Sequence, residues 1–128
     1  MSYPKRIAII GAGNAGCITA LHLHKHMPTD REIVIYHSPN TNPIERVGQS
    51  TTLDIVELIQ NTLGCNWYNN SIDATFKSGV LYEGWGKKSP EIFAGFFAKF
   101  DVGSIHYVPE KLSKAVLESG NYKVHEGI

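Results

Sequence analysis

Six residues constrain this chain more than any others. Gly11-Ala12-Gly13-Asn14-Ala15-Gly16 is a G-x-G-x-x-G run set between an apolar stretch and a helical one. Before it, Lys5–Ile10 (KRIAII) is a short continuous apolar run, the pattern of a parallel strand buried on both faces. After it, Cys17–Met27 carries apolar side chains at Ile18, Leu21, Leu23 and Met27 and stops at Pro28, which cannot continue a helix. Glu32–Tyr36 (EIVIY) then repeats the buried-strand pattern. Strand, glycine turn, helix and strand make a βαβ unit with a right-handed crossover. The fold class is therefore α/β, Rossmann-type, with a parallel sheet.

The three glycines have separate tasks in such a unit. Gly11 permits the tight turn, Gly13 lets the backbone approach a pyrophosphate, and Gly16 lets helix and strand pack closely. The helix start then offers free N–H groups and a positive dipole end to the phosphates. This context predicts dinucleotide binding; a glycine-rich helix start with no ligand is the plain alternative. An acidic residue is expected about 20 positions on, at the end of the second strand, to hold a ribose hydroxyl. His37 stands there instead. Imidazole can hydrogen-bond a hydroxyl but lacks a fixed negative charge, and it gives no reason to infer a 2′-phosphate.

Further on, Ser38–Ser50 reads as a Pro- and Asn-rich loop. A helix is predicted from Thr52 to Leu63, with Thr51 and Asp54 as a capping box and Gly64 at its C-terminal end. Cys65–Asp73 is irregular, Thr75–Trp85 reads as one strand, and Gly86–Pro90 as a turn. Glu91–Phe100 holds three phenylalanines that suit a core or an interface better than a substrate platform. Pro109 fits the first turn of a third helix ending near Ser119 and Gly120, with Leu112 and Val116 on one face. Tyr122–Val124 opens a third parallel strand, and the sequence stops soon after. A small parallel sheet with an uncovered edge predicts that residues 1–128 form one portion, incomplete at the C-terminus, of a larger fold, or need a complementing chain or self-association.

Composition narrows the partners. Twelve Lys and Arg balance twelve Asp and Glu, so no global field draws the chain to nucleic acid or anionic membrane. No apolar run approaches the roughly 20 residues of a membrane span, and MSYPKRIAIIGAG carries no cleavage-site pattern, which predicts a cytoplasmic protein. Cys17 and Cys65 make no CxxC pair, so neither a metal site nor a disulfide framework is signalled. His22 and His26 share a helical face at i, i+4, but no Glu completes an HExxH motif and no third ligand is near. They read as a polar face near a helix C-terminus, and no metal is expected.

Four segments, in order along the chain, resemble the flavin-dependent (tryptophan) halogenase family. Ile9–Gly16 is similar to the family's FAD phosphate loop. Val47-Gly48-Gln49-Ser50-Thr51 resembles its VGE[SA]T segment, with Gln49 where Glu is usual. Phe76-Lys77, with Trp85 eight residues after the lysine, resembles the FK…W stretch that carries the catalytic lysine. His106-Tyr107-Val108-Pro109 leading into Leu112 is similar to the start of the helix before the third sheet strand. The first motif is shared by many flavin and NAD enzymes; the second and third together are more specific.

The resemblance implies an N-terminal FAD-binding portion of a halogenase, with FAD reduced by a separate flavin reductase. In that family a flavin hydroperoxide oxidises halide, and a lysine delivers the halogen to an aromatic small molecule such as tryptophan. It makes Lys77 the catalytic candidate, and Gly11, Ala12, Gly13, Asn14, Ala15, Gly16, His37, Gln49 and Ser50 the cofactor-binding candidates. A primary amine suits the task, because burial lowers a lysine's pKa and makes its neutral form accessible. Without the resemblance, Lys77 reads as an ordinary strand lysine and Val47–Thr51 as a loop before a helix cap. Gln49 in place of a carboxylate removes a charge from the flavin's side. The family's WxWxIP motif does not occur, since only Trp67 and Trp85 are present, and its downstream glutamate has no counterpart within residues 1–128. The isolated chain is accordingly expected to be inactive. An FAD- or NAD-binding module of another oxidoreductase, and a non-catalytic nucleotide-binding relative, stay open at this level.

Overall fold

The computed structural model describes residues 4–39, 49–65, 70–86, 91–95 and 104–127. The elements are β1 (Arg6–Ile10), α1 (Asn14–His26), β2 (Glu32–His37), β3 (Gln49–Ser50), α2 (Leu53–Leu63), β4 (Thr75–Lys77), β5 (Gly79–Glu83), β6 (Glu91–Gly95), β7 (Ser104–Tyr107), α3 (Pro109–Glu118) and β8 (Lys123–Glu126). They build a parallel sheet in the order β1-β2-β8, an antiparallel sheet in the order β3-β7-β4, and an antiparallel β5-β6 pair.

The first sheet is the Rossmann-type unit. β1 and β2 pair in parallel from Arg6↔Glu32 to Ile10↔Tyr36, with α1 as the crossover. β8 joins β2 on its other side, from Val34↔Lys123 to His37↔Glu126, and so supplies the third parallel strand. Side chains alternate between faces along a strand. Ile9, Ile33 and Ile35 enter the core with Cys17, Ala20 and Leu21 of α1, and with Leu112 and Val116 of α3. Each fully buried apolar side chain of this kind stabilises the fold by about 2 kcal/mol. On the opposite face Tyr36 stacks on His125, with centroids 4.9 Å apart and planes 12° from parallel.

β1 departs from the expected strand buried on both faces: Ile10 is 77% exposed and Ala8 is exposed. Among the described residues β1 lies at the sheet's edge, with β2 as its only strand partner. The centrally placed β2 matches the expectation instead, with Ile33, Val34 and Ile35 all buried.

α3 begins as its sequence indicates, with Pro109 in the first turn, and Leu112 and Val116 are fully buried one turn apart. Gly64 ends α2 in the left-handed region at φ 66°, its N–H donating to the Gln60 carbonyl at 3.0 Å. The capping box does not form. Thr52, not Thr51, is the cap of α2, and no side chain caps it. The Thr51 hydroxyl is buried against β7, where it accepts from the Ile105 N–H at 3.1 Å and donates to the Ile105 carbonyl at 3.2 Å. The hydroxyl thus makes two bonds to the β7 backbone in place of the single bond to a helix N–H that a cap would make.

The strand expected across Thr75–Trp85 is two strands. β4 pairs with β7 and β5 pairs with β6, so the partner changes at Ser78, and Trp85 lies beyond both at 79% exposure. The phenylalanines of Glu91–Phe100 fall on side chains outside the described residues, although the backbone of β6 pairs with β5. Among the described residues no helix is long and apolar enough to cross a membrane.

Candidate functional site

Where β1 ends, the chain turns sharply. Gly11 adopts φ +100°, a conformation that favours glycine, and its N–H donates to the Tyr36 carbonyl at 2.7 Å. The Cys17 thiol donates to the Ala12 carbonyl at 3.2 Å, which ties the turn to the helix behind it. Gly13 is the cap of α1, so the helix starts at Asn14, three residues before the periodic apolar run begins. A Cβ on Gly16 would lie 2.0 Å from the Gly11 carbonyl oxygen, so only glycine permits the approach seen here.

This helix start has the properties an anion requires. The first N–H groups of a helix have no partner within it. Here no side chain caps them, no acidic residue stands in the first turn, and His24, Lys25 and His26 occupy the last turn, where the dipole favours them. Among the described residues no side chain caps those donors, which suits the pyrophosphate of a dinucleotide.

His37 closes β2, half-buried, at the carboxyl end where ligands of parallel sheets bind. Its register partner is Glu126, and its carbonyl accepts the Gly127 N–H at 3.1 Å.

The second sheet brings the remaining candidates together. Gln49 lies opposite Tyr107, Ser50 opposite His106, and Thr75 and Lys77 opposite His106 and Ser104. Residues directly opposite one another share a face, so Ser50, Thr75, Lys77, Ser104 and His106 line one side of this sheet. Lys77 is half-buried at the end of β4, and its ammonium donates to the Ser50 hydroxyl at 2.7 Å. Phe76, on the other face, is 42% exposed. Val47 and Gly48 lie outside the described residues.

One side chain of β7 ties the second sheet to the start of α1. The Tyr107 hydroxyl donates to the side-chain carbonyl of Asn14, the first residue of α1. Tyr107 is buried, and that burial raises its pKa above the ordinary phenol value, against a lowering by the Asn14 hydrogen bond. Asn14 is thus engaged from β7, while Gln49 pairs with the same Tyr107 through the backbone ladder. Sequence reasoning quotes His106 and Tyr107 only as the start of a helix and misses β7. The signal is present: Ile105 and Tyr107 are buried while His106 between them is exposed, the two-residue period of a half-buried strand.

His22 and His26 do share a face, with ring centroids 4.4 Å apart, and both are exposed. Among the described residues no group of three or more His, Cys, Asp or Glu side chains could hold a metal ion.

Comparison with known proteins agrees with this arrangement. The solved structure of a tryptophan 6-halogenase from Streptomyces toxytricini superposes with a TM-score of 0.72 at 15% identity, covering 98% of this chain and 35% of that one. A flavin-dependent halogenase from Xanthomonas campestris gives a TM-score of 0.69 at 18% identity, covering 96% and 34%. At these identities the likeness is one of fold. The uncharacterized protein y4xG of Sinorhizobium fredii is 33% identical over 82 residues, which make up 63% of this chain and 16% of that protein. The chain therefore spans about a third of the solved halogenases and a smaller share of the curated relative. The sequence profile of the tryptophan halogenases matches residues 6–119, nearly the whole described fold. By that match, over far more than half its length, the chain belongs to the tryptophan halogenase family.

Proposed function

We propose that this chain forms the FAD-binding part of a flavin-dependent halogenase, in which Lys77 passes the halogen to an aromatic substrate such as tryptophan. The observation that carries the reading is the Lys77–Ser50 contact of 2.7 Å. It joins the two segments most specific to the family on a sheet that Tyr107 ties to the glycine loop. The uncapped start of α1 and the close approach at Gly16 support FAD as the cofactor.

In this reading the backbone of Gly11, Ala12, Gly13, Ala15 and Gly16 holds the pyrophosphate. Asn14 keeps the loop in register with the second sheet through Tyr107, His37 faces the adenosine ribose, and β3 lies at the flavin end, with Ser50 on the Lys77 face and Gln49 on the Tyr107 face. Reduced FAD, supplied by a separate reductase, would with oxygen furnish the oxidising power that turns halide into an electrophilic halogen species. Ser50 fixes the Lys77 amine in one position, so that the lysine can hydrogen-bond that species and direct it to the substrate. Positioning of this kind contributes most when the amine is already oriented before substrate arrives.

Titration calorimetry of the protein with FAD, NAD and ADP tests the cofactor assignment. FAD should bind more tightly than NAD, and Gly13→Val should weaken both FAD and ADP at least about tenfold by blocking pyrophosphate approach. In a preparation competent for halogenation, Lys77→Ala should abolish product and leave FAD affinity unchanged. No heat with any of the three nucleotides refutes the cofactor assignment. Product formed at the wild-type rate by Lys77→Ala refutes the role of the lysine.

A further inference from the structure

The second strand of this Rossmann-type unit ends in His37, not in the carboxylate that usually holds the ribose. The sheet places a carboxylate beside it. His37 and Glu126 are register partners at the carboxyl ends of β2 and β8. Neighbouring strands lie roughly 4.8 Å apart. We infer that Glu126 supplies the missing carboxylate, binding the vicinal hydroxyls of the adenosine ribose alongside His37. The inference rests on the dinucleotide-binding reading above and names the group that selects the ribose.

Three observations carry it. Tyr36 and His125, the preceding register pair, stack at 4.9 Å, so partners in these two strands do meet side by side. Alternation then sends His37 and Glu126 together to the opposite face, which is the face of Ile33 and Ile35 that α1 covers. A dinucleotide whose pyrophosphate sits at the start of α1 carries its ribose across the strand ends on that same side. Second, the pairing runs to the last residue. The Gly127 N–H donates to the His37 carbonyl at 3.1 Å, which holds Glu126 beside His37 at the carboxyl end of β8. Third, Glu126 is exposed, and among the described residues no ion pair involves it.

The chemistry is complementary. An ionised carboxylate only accepts hydrogen bonds and can take both hydroxyls of a vicinal diol, while imidazole can donate or accept a single bond beside it. The same carboxylate repels a 2′-phosphate, which directs the site towards FAD or ADP and away from 2′-phosphorylated nucleotides.

Titration calorimetry with ADP, 2′-deoxy-ADP and adenosine 2′,5′-bisphosphate tests this on the wild type, Glu126→Gln, His37→Ala and Gly13→Val. Wild type should prefer ADP over 2′-deoxy-ADP by about tenfold, the scale of one charge-assisted hydrogen bond. Glu126→Gln should lose most of that preference and relax the exclusion of the bisphosphate, whereas His37→Ala should weaken ADP by a smaller factor and keep the exclusion. Gly13→Val should lose every nucleotide alike. If ADP binds wild type but not Gly13→Val, and Glu126→Gln binds both ADP and 2′-deoxy-ADP as wild type does, the glycine-loop reading stands and the role of Glu126 is refuted. Silence of wild type towards ADP refutes both. A thermal melt of each variant confirms that it is folded.

Discussion

Replacing Gly16 by alanine separates two physical effects that have opposite signs. Gly16 lies in the first turn of α1, and helix propensity alone favours alanine there by up to about 1 kcal/mol. Packing opposes it. The added Cβ would lie 2.0 Å from the Gly11 carbonyl oxygen and 3.0 Å from its carbon, with Ile9 Cγ2 at 3.5 Å. The 2.0 Å contact is with backbone, so no side chain can swing aside to relieve it. Either α1 lifts from the turn or Gly11 moves. If Gly11 moves, its 2.7 Å hydrogen bond to the Tyr36 carbonyl is lost, leaving a partly buried donor unpaired at a cost of about 1–3 kcal/mol. Overpacking strain adds a similar amount. After subtracting the propensity gain, the net destabilisation is about 1–5 kcal/mol, with a midpoint near 3 kcal/mol.

For a domain of this size each kcal/mol moves the melting temperature by about 4 °C. Gly16→Ala should therefore melt about 12 °C below wild type, within a span of about 4–20 °C, when followed by far-ultraviolet circular dichroism. Gly64→Ala is the matched control. That glycine sits at φ +66° with nothing within 4 Å of an added Cβ, so its cost is conformational only, about 1 kcal/mol, or about 4 °C. A Gly16→Ala protein melting at or above wild type would show that propensity governs this position and that the close approach at the glycine loop is unimportant.

Two further outcomes follow from the buried tyrosines. Tyr107→Phe removes the hydroxyl that reaches Asn14 and should lower the melting temperature by about 4 °C, one hydrogen bond's worth. It should also weaken FAD binding in calorimetry, because Asn14 is then no longer held from β7. Tyr122→Phe should do the reverse. The Tyr122 hydroxyl is buried with no hydrogen-bond partner among the described residues, so deleting it should raise the melting temperature by a few degrees. Burial, with a smaller contribution from Cys17, pushes the Tyr122 pKa up to about 12. An unfolded tyrosine titrates near 10. The native state holds this proton more tightly than the unfolded chain, so the associated stability is intact below about pH 10 and falls as pH rises towards 12. Urea unfolding near pH 8 and near pH 11 should show a smaller alkaline loss for Tyr122→Phe than for wild type, by roughly 1 kcal/mol, because about half of the stability linked to the shift is lost by pH 11.

The parts legible in the sequence are those whose signal is local. β2 announces itself because a central parallel strand is apolar at every position, and Ile33, Val34 and Ile35 are all buried. Pro109 and Gly120 bracket α3 because each enforces a backbone conformation by itself. The start of α1 is hidden for the converse reason. Asn14, Ala15 and Gly16 give no apolar period, and what makes them helical is the contact of Gly16 with Gly11 and of Asn14 with Tyr107. The break between β4 and β5 falls at Ser78-Gly79, a turn-type dipeptide that interrupts the alternation but does not say which partner each half takes. It arises from which partner each half finds, β7 for one and β6 for the other. Those pairings are long-range, and propensity carries little information about them.

The candidate site follows the same division, and β7 is the reason. Ser50 and Lys77 each stand in a recognisable segment, yet nothing in either segment says that the two side chains touch. They meet because β7 lies between β3 and β4, with Ser104 and His106 setting the register of both neighbours. The Thr51 hydroxyl locks that arrangement by bonding both backbone groups of Ile105, so a residue that reads as a helix cap instead holds the sheet. Tyr107 then carries the register to Asn14 at the glycine loop. A four-residue strand thus sets where the lysine sits relative to the glycine loop. Its own position is fixed in turn by Ile105 and Tyr107 buried in the common core, beneath α2 and against α1. The short central strand of the second sheet therefore sets which side chains stand beside the glycine loop.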